Sequence, residues 1–300
     1  MTDKNLKTVT VVLAARDEAA LVAAEALTFG PALEAADYKV LSEGRAFEVS
    51  VKTPDGAQFQ NNLTARLEKD GVAADVCVQP AGNRRKGLLI CDMDSTLIGQ
   101  ECIDELADFA GVKAYVSEIT ERAMRGELDF EDALKERVGL LKDLPLDTLQ
   151  KCFEQRITLN PGADTLAKTM AANGAKTMIV SGGFTFFSQR IAQAAGFAEH
   201  QANILLDDGA ALTGAVQMPI LGREAKREAL KARASDIGGP GNAVAIGDGA
   251  NDLAMIQAAG LGIAYYAKPA VAAAAHCAIN HTDLTTALFF QGYSEDEFAA

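Results

Sequence analysis

No stretch of this 300-residue sequence approaches the roughly 18 consecutive apolar residues that a membrane-spanning helix needs, so a soluble chain is expected. The opening TVTVVLAA segment is short and runs straight into Arg16, Asp17 and Glu18, which argues against a secretory leader and for a first β-strand. Nor is there a block of Lys and Arg long enough to neutralise a row of phosphates. Twenty-eight basic residues face 41 acidic ones, a formal charge of −13, and that balance argues against nucleic acid or an anionic membrane as the partner. An anionic substrate must then be met locally, by a metal ion, a few Lys or Arg side chains and backbone N–H groups. The five cysteines (Cys77, Cys91, Cys102, Cys152, Cys277) are scattered and show no C-x-x-C spacing. Neither a disulfide framework nor a zinc site is indicated, and a reducing cytoplasm is the expected compartment. Internal repeats and low-complexity tracts are not apparent.

What the chain does have is apolar content, 49% of its residues, enough for a sizeable core in one large domain or two unequal ones. In the first eighty residues, TVTVVL, the Ala/Leu-rich segment Glu18–Leu27, YKVLSE, AFEVSVK, FQNNLTARLEKDG and VAADVCV give a β-α-β-β-α-β order. That is the order of a ferredoxin-like α+β sandwich, with Gly44 at a hairpin turn. The segment PAGNRRKG, residues 80–87, interrupts both periodicities, and the domain boundary is expected there, between a domain of residues 1–83 and one of residues 84–300. From Leu88 onward the strands LLICD, KTMIV, NILLD, NAVAIGD and GLGIA are apolar runs without alternation, as in a doubly wound parallel α/β sheet covered by helices on both faces. Residues from about 100 to 157 hold no strand pattern, only apolar positions at helical spacing such as Ile103, Leu106, Ala107 and Ala110, so a helical insertion is expected. The VAAAAH segment from Val271 reads as a further helix.

Four short segments carry chemistry. Asp92 and Asp94, in C-D-M-D-S-T, directly follow the apolar LLI strand. Ligands of doubly wound sheets bind at the carboxyl ends of strands. Two carboxylates one residue apart leave such a tip together, so they can share a cation while Asp92 acts as nucleophile and Asp94 as general acid and then base. The same D-x-D also describes an Asx-turn. The segment Gly247-Asp248-Gly249-Ala250-Asn251-Asp252 follows the apolar NAVAI. Mg2+ is typically held by one or two carboxylates plus water and phosphate, and Asp92 with Asp248 would form such a pair; Asp252 also reads as a helix cap. Ser181-Gly182-Gly183 follows KTMIV, offering a hydroxyl and two bare N–H groups at a helix N-terminus, which is either an anion cradle or ordinary turn chemistry. Lys226 lies in REAKREALKARA, where a lone lysine is ordinarily a solvated side chain.

Taken in order, DMDST, SGG, the helix-borne lysine and GDGAND resemble the four motifs of the haloacid dehalogenase (HAD) superfamily, from about residue 88 to the C-terminus. The resemblance implies a HAD-like Rossmannoid sheet, with the helical insertion as its cap. It further implies that Asp92 becomes phosphorylated and that Asp94 protonates the departing alcohol and activates water. Mg2+ would be held by Asp92, the Asp94 backbone carbonyl and Asp248, with Asp252 supporting those ligands from behind. The DMDSTLI segment with QECIDELA, and then MRGELDFEDALKERVGLLKDLP, is similar to the phosphoserine phosphatases in particular. This implies that Glu101 meets the substrate ammonium, Arg137 its carboxylate, and Phe130 closes over it. Ser181, Gly182, Lys226 and Asn251 would contact the phosphate or the serine moiety. An amino-acid monoester presents one cation and two anionic groups, for which Glu, Arg and a phosphate site are the matching chemistry. Asp129 reads as a helix N-cap with Asp132 near the third position, and Phe130 and Arg137, two turns apart, can share one side. Singly, each also has a bland reading: Arg137 in an ion pair with a neighbouring Glu, Glu101 as a favourable first-turn charge, Phe130 as ordinary core.

The implied activity is hydrolysis of O-phosphoserine, the last step of serine biosynthesis. The same chemistry on another small phosphomonoester, or phosphate transfer to another alcohol, is the alternative. A sensor attached to a degenerate catalytic half is a third reading, against which the intact carboxylates stand. The N-terminal sandwich resembles an ACT domain, a fold that binds amino acids and regulates enzymes. Its AARDEAAL loop nevertheless lacks the glycine such loops use for close backbone approach. Serine sensing and oligomerisation, a homodimer included, both stay open.

Overall fold

The computed structural model describes residues 6–29, 37–124 and 127–299, so Arg125 and Gly126 of the MRGEL segment lie outside it. The first part runs β1 (Lys7–Ala15), α1 (Glu18–Phe29), β2 (Tyr38–Ser42), β3 (Ala46–Thr53), α2 (Gly56–Lys69) and β4 (Ala74–Pro80), the β-α-β-β-α-β order read from the sequence. These strands form an antiparallel sheet in the order β2-β3-β1-β4. Strand alternation divides its faces. Val11, Leu13 and Ala15 of β1 pack with Phe47, Val49, Leu63 and Leu67 under the two helices. Val12 and Ala14, with Leu41, Ala46 and Cys77, point the other way and merge into the core of the rest of the chain.

That larger part begins with β5 (Leu88–Cys91), and then α3 (Cys102–Phe109), α4 (Lys113–Met124), α5 (Phe130–Gly139) and α6 (Leu146–Arg156) form a helical module. It continues through α7 (Ala163–Ala172), β6 (Lys176–Phe184), α8 (Thr185–Ala195), β7 (Glu199–Asn203), β8 (Leu205–Asp207), β9 (Leu212–Val216) and α9 (Arg223–Ala234). The last elements are β10 (Ala243–Gly247), α10 (Leu253–Ala258), β11 (Leu261–Tyr265), α11 (Pro269–Ala272), β12 (Cys277–Ile279) and α12 (Thr286–Phe290). Six parallel strands make the sheet β12-β11-β10-β5-β6-β7. Its central strands are buried along their whole length because each face has its own apolar cover. Leu89, Cys91, Val244 and Ile246 join one core, while Leu88, Ile90, Ala243 and Ala245 join the other. This is the doubly wound α/β class expected from the unalternating runs. The chain leaves β5 toward β6 and β7 and later returns to β10 on the opposite side. The carboxyl ends of β5 and β10 therefore flank the point where strand order reverses, the place such sheets bind ligands.

The helical module hangs on two linkers. Ile98 bridges to Leu159, and Gln100 and Thr158 exchange hydrogen bonds, Nε2 to Oγ1 at 3.0 Å and N to Oε1 at 3.2 Å. A hairpin of β8 and β9 props the module from the side, with Asp143 N donating to Leu212 O and Leu212 N to Leu144 O, both at 2.9 Å.

Two sequence expectations are corrected. NILLD is no strand of the main sheet: Asn203 closes β7, and Leu205–Asp207 turns out into the hairpin. The true edge strand is the polar EHQAN, whose half-exposed residues carry no apolar run because an edge has only one neighbour. Of VAAAAH only Val271 and Ala272 are helical, as the end of the single turn α11. The end of the segment is drawn back to the sheet, where Gly262 N donates to His276 Nδ1 and His276 N donates to Gly262 O, each at 3.0 Å.

Asp75 of β4 fastens the small sheet to the large one. Its buried carboxylate accepts from Asn280 N at 2.7 Å, Thr282 N at 3.0 Å, His281 N at 3.2 Å and Thr282 Oγ1 at 2.6 Å. Removing it orphans several part-buried donors at once, so Asp75→Ala is expected to cost about 3 kcal/mol. The check is a fall in the urea midpoint, with Asp75→Asn losing less because an amide oxygen still accepts. Equal stability of Asp75→Ala and the parent would contradict this account.

Candidate active site

Asp92 is the first residue past β5, and its N–H bonds Ile246 O of β10 at 2.9 Å, fixing the two strand tips together. Its carboxylate accepts from Met93 N at 2.7 Å on Oδ1 and meets Lys226 Nζ at 2.6 Å on Oδ2. Lys226 also reaches Asp252 Oδ1 at 2.7 Å and is 1% exposed. The bland reading of a solvated lysine is thus corrected. Lys226 sits on the same stripe of α9 as Ala229 and Leu230, and that apolar face carries it into the sheet. Burial works against its charge, but Asp252 and Asp92 raise its pKa well above the ordinary lysine value. For Asp92 burial and Asp252 push the carboxyl upward, and Lys226 opposes them only in part.

Asp94 points beside Asp92. Its Oδ1 accepts from Cys102 N at 2.8 Å, the first amide of α3, and its Oδ2 lies 3.4 Å from Ser181 Oγ. Burial raises its pKa against those hydrogen bonds. Asp248, just past β10, accepts from Thr96 Oγ1 at 2.9 Å, and burial and Asp252 push it up to about 6. Asp252 stands at the N-cap position of α10, but its side chain caps nothing there: both oxygens are spent, on Lys226 and on Gly249 N at 3.0 Å. The expected helix cap is therefore a brace between α9 and the Asp248 loop. Ser181-Gly182-Gly183 corrects another detail. These residues belong to the end of β6 rather than to the start of the helix, and Gly183 N is not bare but taken by Ser181 Oγ at 2.8 Å.

The helical module supplies the rest. Glu101 accepts from Ser95 Oγ at 2.7 Å, and burial and the charge of Asp94 push it up to about 7. It occupies the N-cap position of α3 without capping it. Asp129 does cap α5, accepting from Asp132 N at 2.8 Å. Arg137 bonds Ala133 O at 3.2 Å and Thr120 Oγ1 at 3.5 Å and forms no ion pair among the described residues. Burial lowers its pKa, while Asp104, Glu101 and Asp94 act on it from nearby to raise it. The Phe130 ring covers Gly182: a methyl on that glycine would lie 3.0 Å from its Cζ. Asn251 folds its amide back over Gly249 in the Asp248 loop.

Asp92, Asp94, Asp248 and Asp252 thus surround one space with Lys226 and Ser181, and Glu101, Phe130 and Arg137 face it from the module. Sequence reading missed the residues that hold these in place. Thr96 orients Asp248, and Asn160 Nδ2 ties Thr96 O at 2.8 Å. Buried Asn203 joins Gly182 O at 2.8 Å to Leu221 N at 2.7 Å. Thr96 lies within the DMDST motif and could have been found; nothing local marks Asn203.

Oxygens of Asp92, Asp248 and Asp252 lie within 4.8 Å of one another. Asp92, Asp94, Asp248, Asp252 and Glu101 outnumber Lys226 and Arg137, and burial first, with neighbouring carboxylates second, raises the pKa values of Asp92, Asp248 and Glu101. Such a donor set, all hard oxygen, fits a divalent cation.

Residues 89–257 match the family described as haloacid dehalogenase-like hydrolase. The chain is 43% identical to a phosphoserine phosphatase of Archaeoglobus fulgidus over 225 residues, 74% of this chain and 64% of that protein, so it spans just under two thirds of that relative. It is 40% identical to the phosphoserine phosphatase of Saccharomyces cerevisiae over 80% of this chain and 78% of the relative. Among solved structures, a probable phosphoserine phosphatase from Vibrio cholerae superposes with a TM-score of 0.77 at 33% identity, covering 96% of this chain and 88% of that one.

Proposed function

Because this chain belongs to the haloacid dehalogenase-like hydrolases, and because Asp92 and Asp94 leave one strand tip side by side against Lys226 and Asp248, we propose that it hydrolyses O-phosphoserine through an aspartyl-phosphate, an acyl phosphate, on Asp92. Asp92 Oδ attacks phosphorus; the P–O bond to serine breaks as Asp94 gives its proton to the departing oxygen. Burial favours the protonated Asp94 that this step needs. With serine gone, Asp94 takes a proton from water, which attacks the same phosphorus and releases phosphate from Asp92. Lys226 and the Ser181 hydroxyl balance the phosphoryl charge. Mg2+ would be held by Asp92, Asp248 and the Asp94 carbonyl, with Asp252 bracing Lys226 behind them, and would supply further charge neutralisation.

The substrate class rests on the module. Glu101 and Arg137, opposite in sign and without an ion-pair partner among the described residues, flank the phosphate site and match the ammonium and carboxylate of an amino acid. Relatives named phosphoserine phosphatase support the same choice. A division at residues 83/84, with residues from about 100 to 157 as a cap closing over the substrate, is part of the proposal. Five free, buried thiols support a reducing, cytoplasmic setting.

The test is phosphate release from a panel of phosphomonoesters with and without Mg2+. Preference for phosphoserine, abolished by chelator and restored by Mg2+, is the expected result. Metal-dependent activity on other esters alone would keep the chemistry and sink the substrate; no phosphate release from any ester would sink both.

A further inference from the structure

A cavity of about 620 Å3 opens at the meeting of the small sheet, the large sheet and the module's linkers. Its size suits a metabolite. Arg16 and Arg45 line it from the N-terminal part, Tyr265 and Tyr266 from the carboxyl end of β11, and Gly99 and Asn160 from the two linkers. Asp92, Lys226 and Asp248 do not line it; it borders their space only at Ser95, whose hydroxyl donates to Glu101 at 2.7 Å.

Its chemistry is cationic and aromatic. Arg16 is exposed and forms no ion pair among the described residues. Arg45 is shared at long range between Asp283 at 3.4 Å and Glu295 at 3.3 Å. The single carboxylate on the wall, Asp283, is already engaged by Arg45 and by Thr285 N at 2.8 Å. Tyr266 holds φ at 43°, a left-handed backbone that is costly for an aromatic residue, while its N–H bonds Ile279 O at 2.8 Å. That conformation sets its ring edge-on to Tyr265, with centroids 4.9 Å apart. The result is a guanidinium without an ion-pair partner among the described residues, beside a fixed pair of rings.

We propose that this cavity binds a small organic anion, its carboxylate or phosphate group on Arg16 and its carbon body against Tyr265 and Tyr266. The occupant also braces the linkers. Gly99 and Asn160 adjoin the Gln100–Thr158 exchange and the Ile98–Leu159 bridge, so a ligand touching them and Arg16 ties the helical module to the N-terminal sheet. None of this depends on which ester is hydrolysed.

The chain has no tryptophan and only five tyrosines, two of them on this wall, so tyrosine emission of the full-length protein reports binding directly. Succinate, citrate, benzoate and inorganic phosphate are the probes, followed by hydrogen exchange at saturation. We expect a saturable emission change with at least one carboxylate, weakened about ten- to hundredfold in Arg16→Gln and unchanged in Ser181→Ala. Exchange of residues 97–100 and 157–160 should slow. An absent response up to about 10 mM, equal affinity in Arg16→Gln, or loss of the signal in Ser181→Ala overturns the site. A response to inorganic phosphate alone overturns the role of the tyrosines. Binding without slowed exchange overturns the bracing.

Discussion

Lys226→Met will lose both turnover and stability, whereas Asp92→Asn will lose turnover alone. The two side chains touch at 2.6 Å, yet they stand in unequal company. Among the described residues Lys226 is the one cation in contact with Asp92 and Asp252, both buried. Taking it away leaves two carboxylates facing each other without a counter-charge, a change that typically costs about 3–5 kcal/mol. Asp92 is the surplus anion: burial and Asp252 already raise its pKa, so the fold holds its ionised form less well than water does. A folded pKa raised above the unfolded value means that ionisation at neutral pH works against folding, and the uncharged amide removes that cost. Asp92→Asn should therefore unfold at the same or a higher urea concentration than the parent when both are measured in chelator. Its phosphatase activity should fall by about four orders of magnitude or more, since the amide cannot form the acyl phosphate. Lys226→Met should lose roughly a thousandfold in kcat/KM. A destabilised Asp92→Asn together with a fully stable Lys226→Met would reverse the assignment of the surplus charge.

Much of this geometry was open to a sequence reader, for a physical reason. Strands buried on both faces must be continuously apolar, so LLIC and AVAIG stand out, and the acidic residue that ends each run marks the strand tip without any structure. Lys226 was half legible. Its spacing to Ala229, Leu230 and Ala234 places it on the apolar stripe of α9, although charge alone suggested solvent. Asn203 was not legible, because its partners, Gly182 O and Leu221 N, come from segments that meet only after the sheet is assembled. The same limit applies to EHQAN, which becomes a strand through its pairing with β6 rather than through its own pattern. The inter-sheet joint was equally hidden. Nothing near Asp75 announces that Asn280, His281 and Thr282 will wrap it.

Gly183→Ala gives the second large effect, and it separates the two aspartates of the first motif. A methyl at this position would lie 2.5 Å from Asp94 Oδ2, 2.8 Å from Met93 Cε and 3.1 Å from Ser181 Oγ. Asp94 cannot simply swing aside, because Cys102 N holds its other oxygen at 2.8 Å. The backbone of Gly183 is not left-handed, so the cost falls on the site rather than on the chain itself. A displaced Asp94 delivers its proton badly, and loss of general acid catalysis is worth about 10²–10⁴ in rate. The loss should depend on the leaving group. Serine departs as a poor alkoxide and needs the proton, whereas p-nitrophenol departs as a stable anion and does not. Gly183→Ala is thus expected to depress kcat on phosphoserine far more than on p-nitrophenyl phosphate, with the fold retained. Gly182→Ala is the control. Its methyl would press on the Phe130 ring, 3.0 Å from Cζ, with Leu221 O at an ordinary contact distance of 3.9 Å, and a ring at the module's edge can give way. That variant should shift KM with little change in kcat on either ester. Equal losses on the two esters in Gly183→Ala would mean that the methyl disturbs Ser181 and phosphate binding instead, and that Asp94 is not the group giving up the proton.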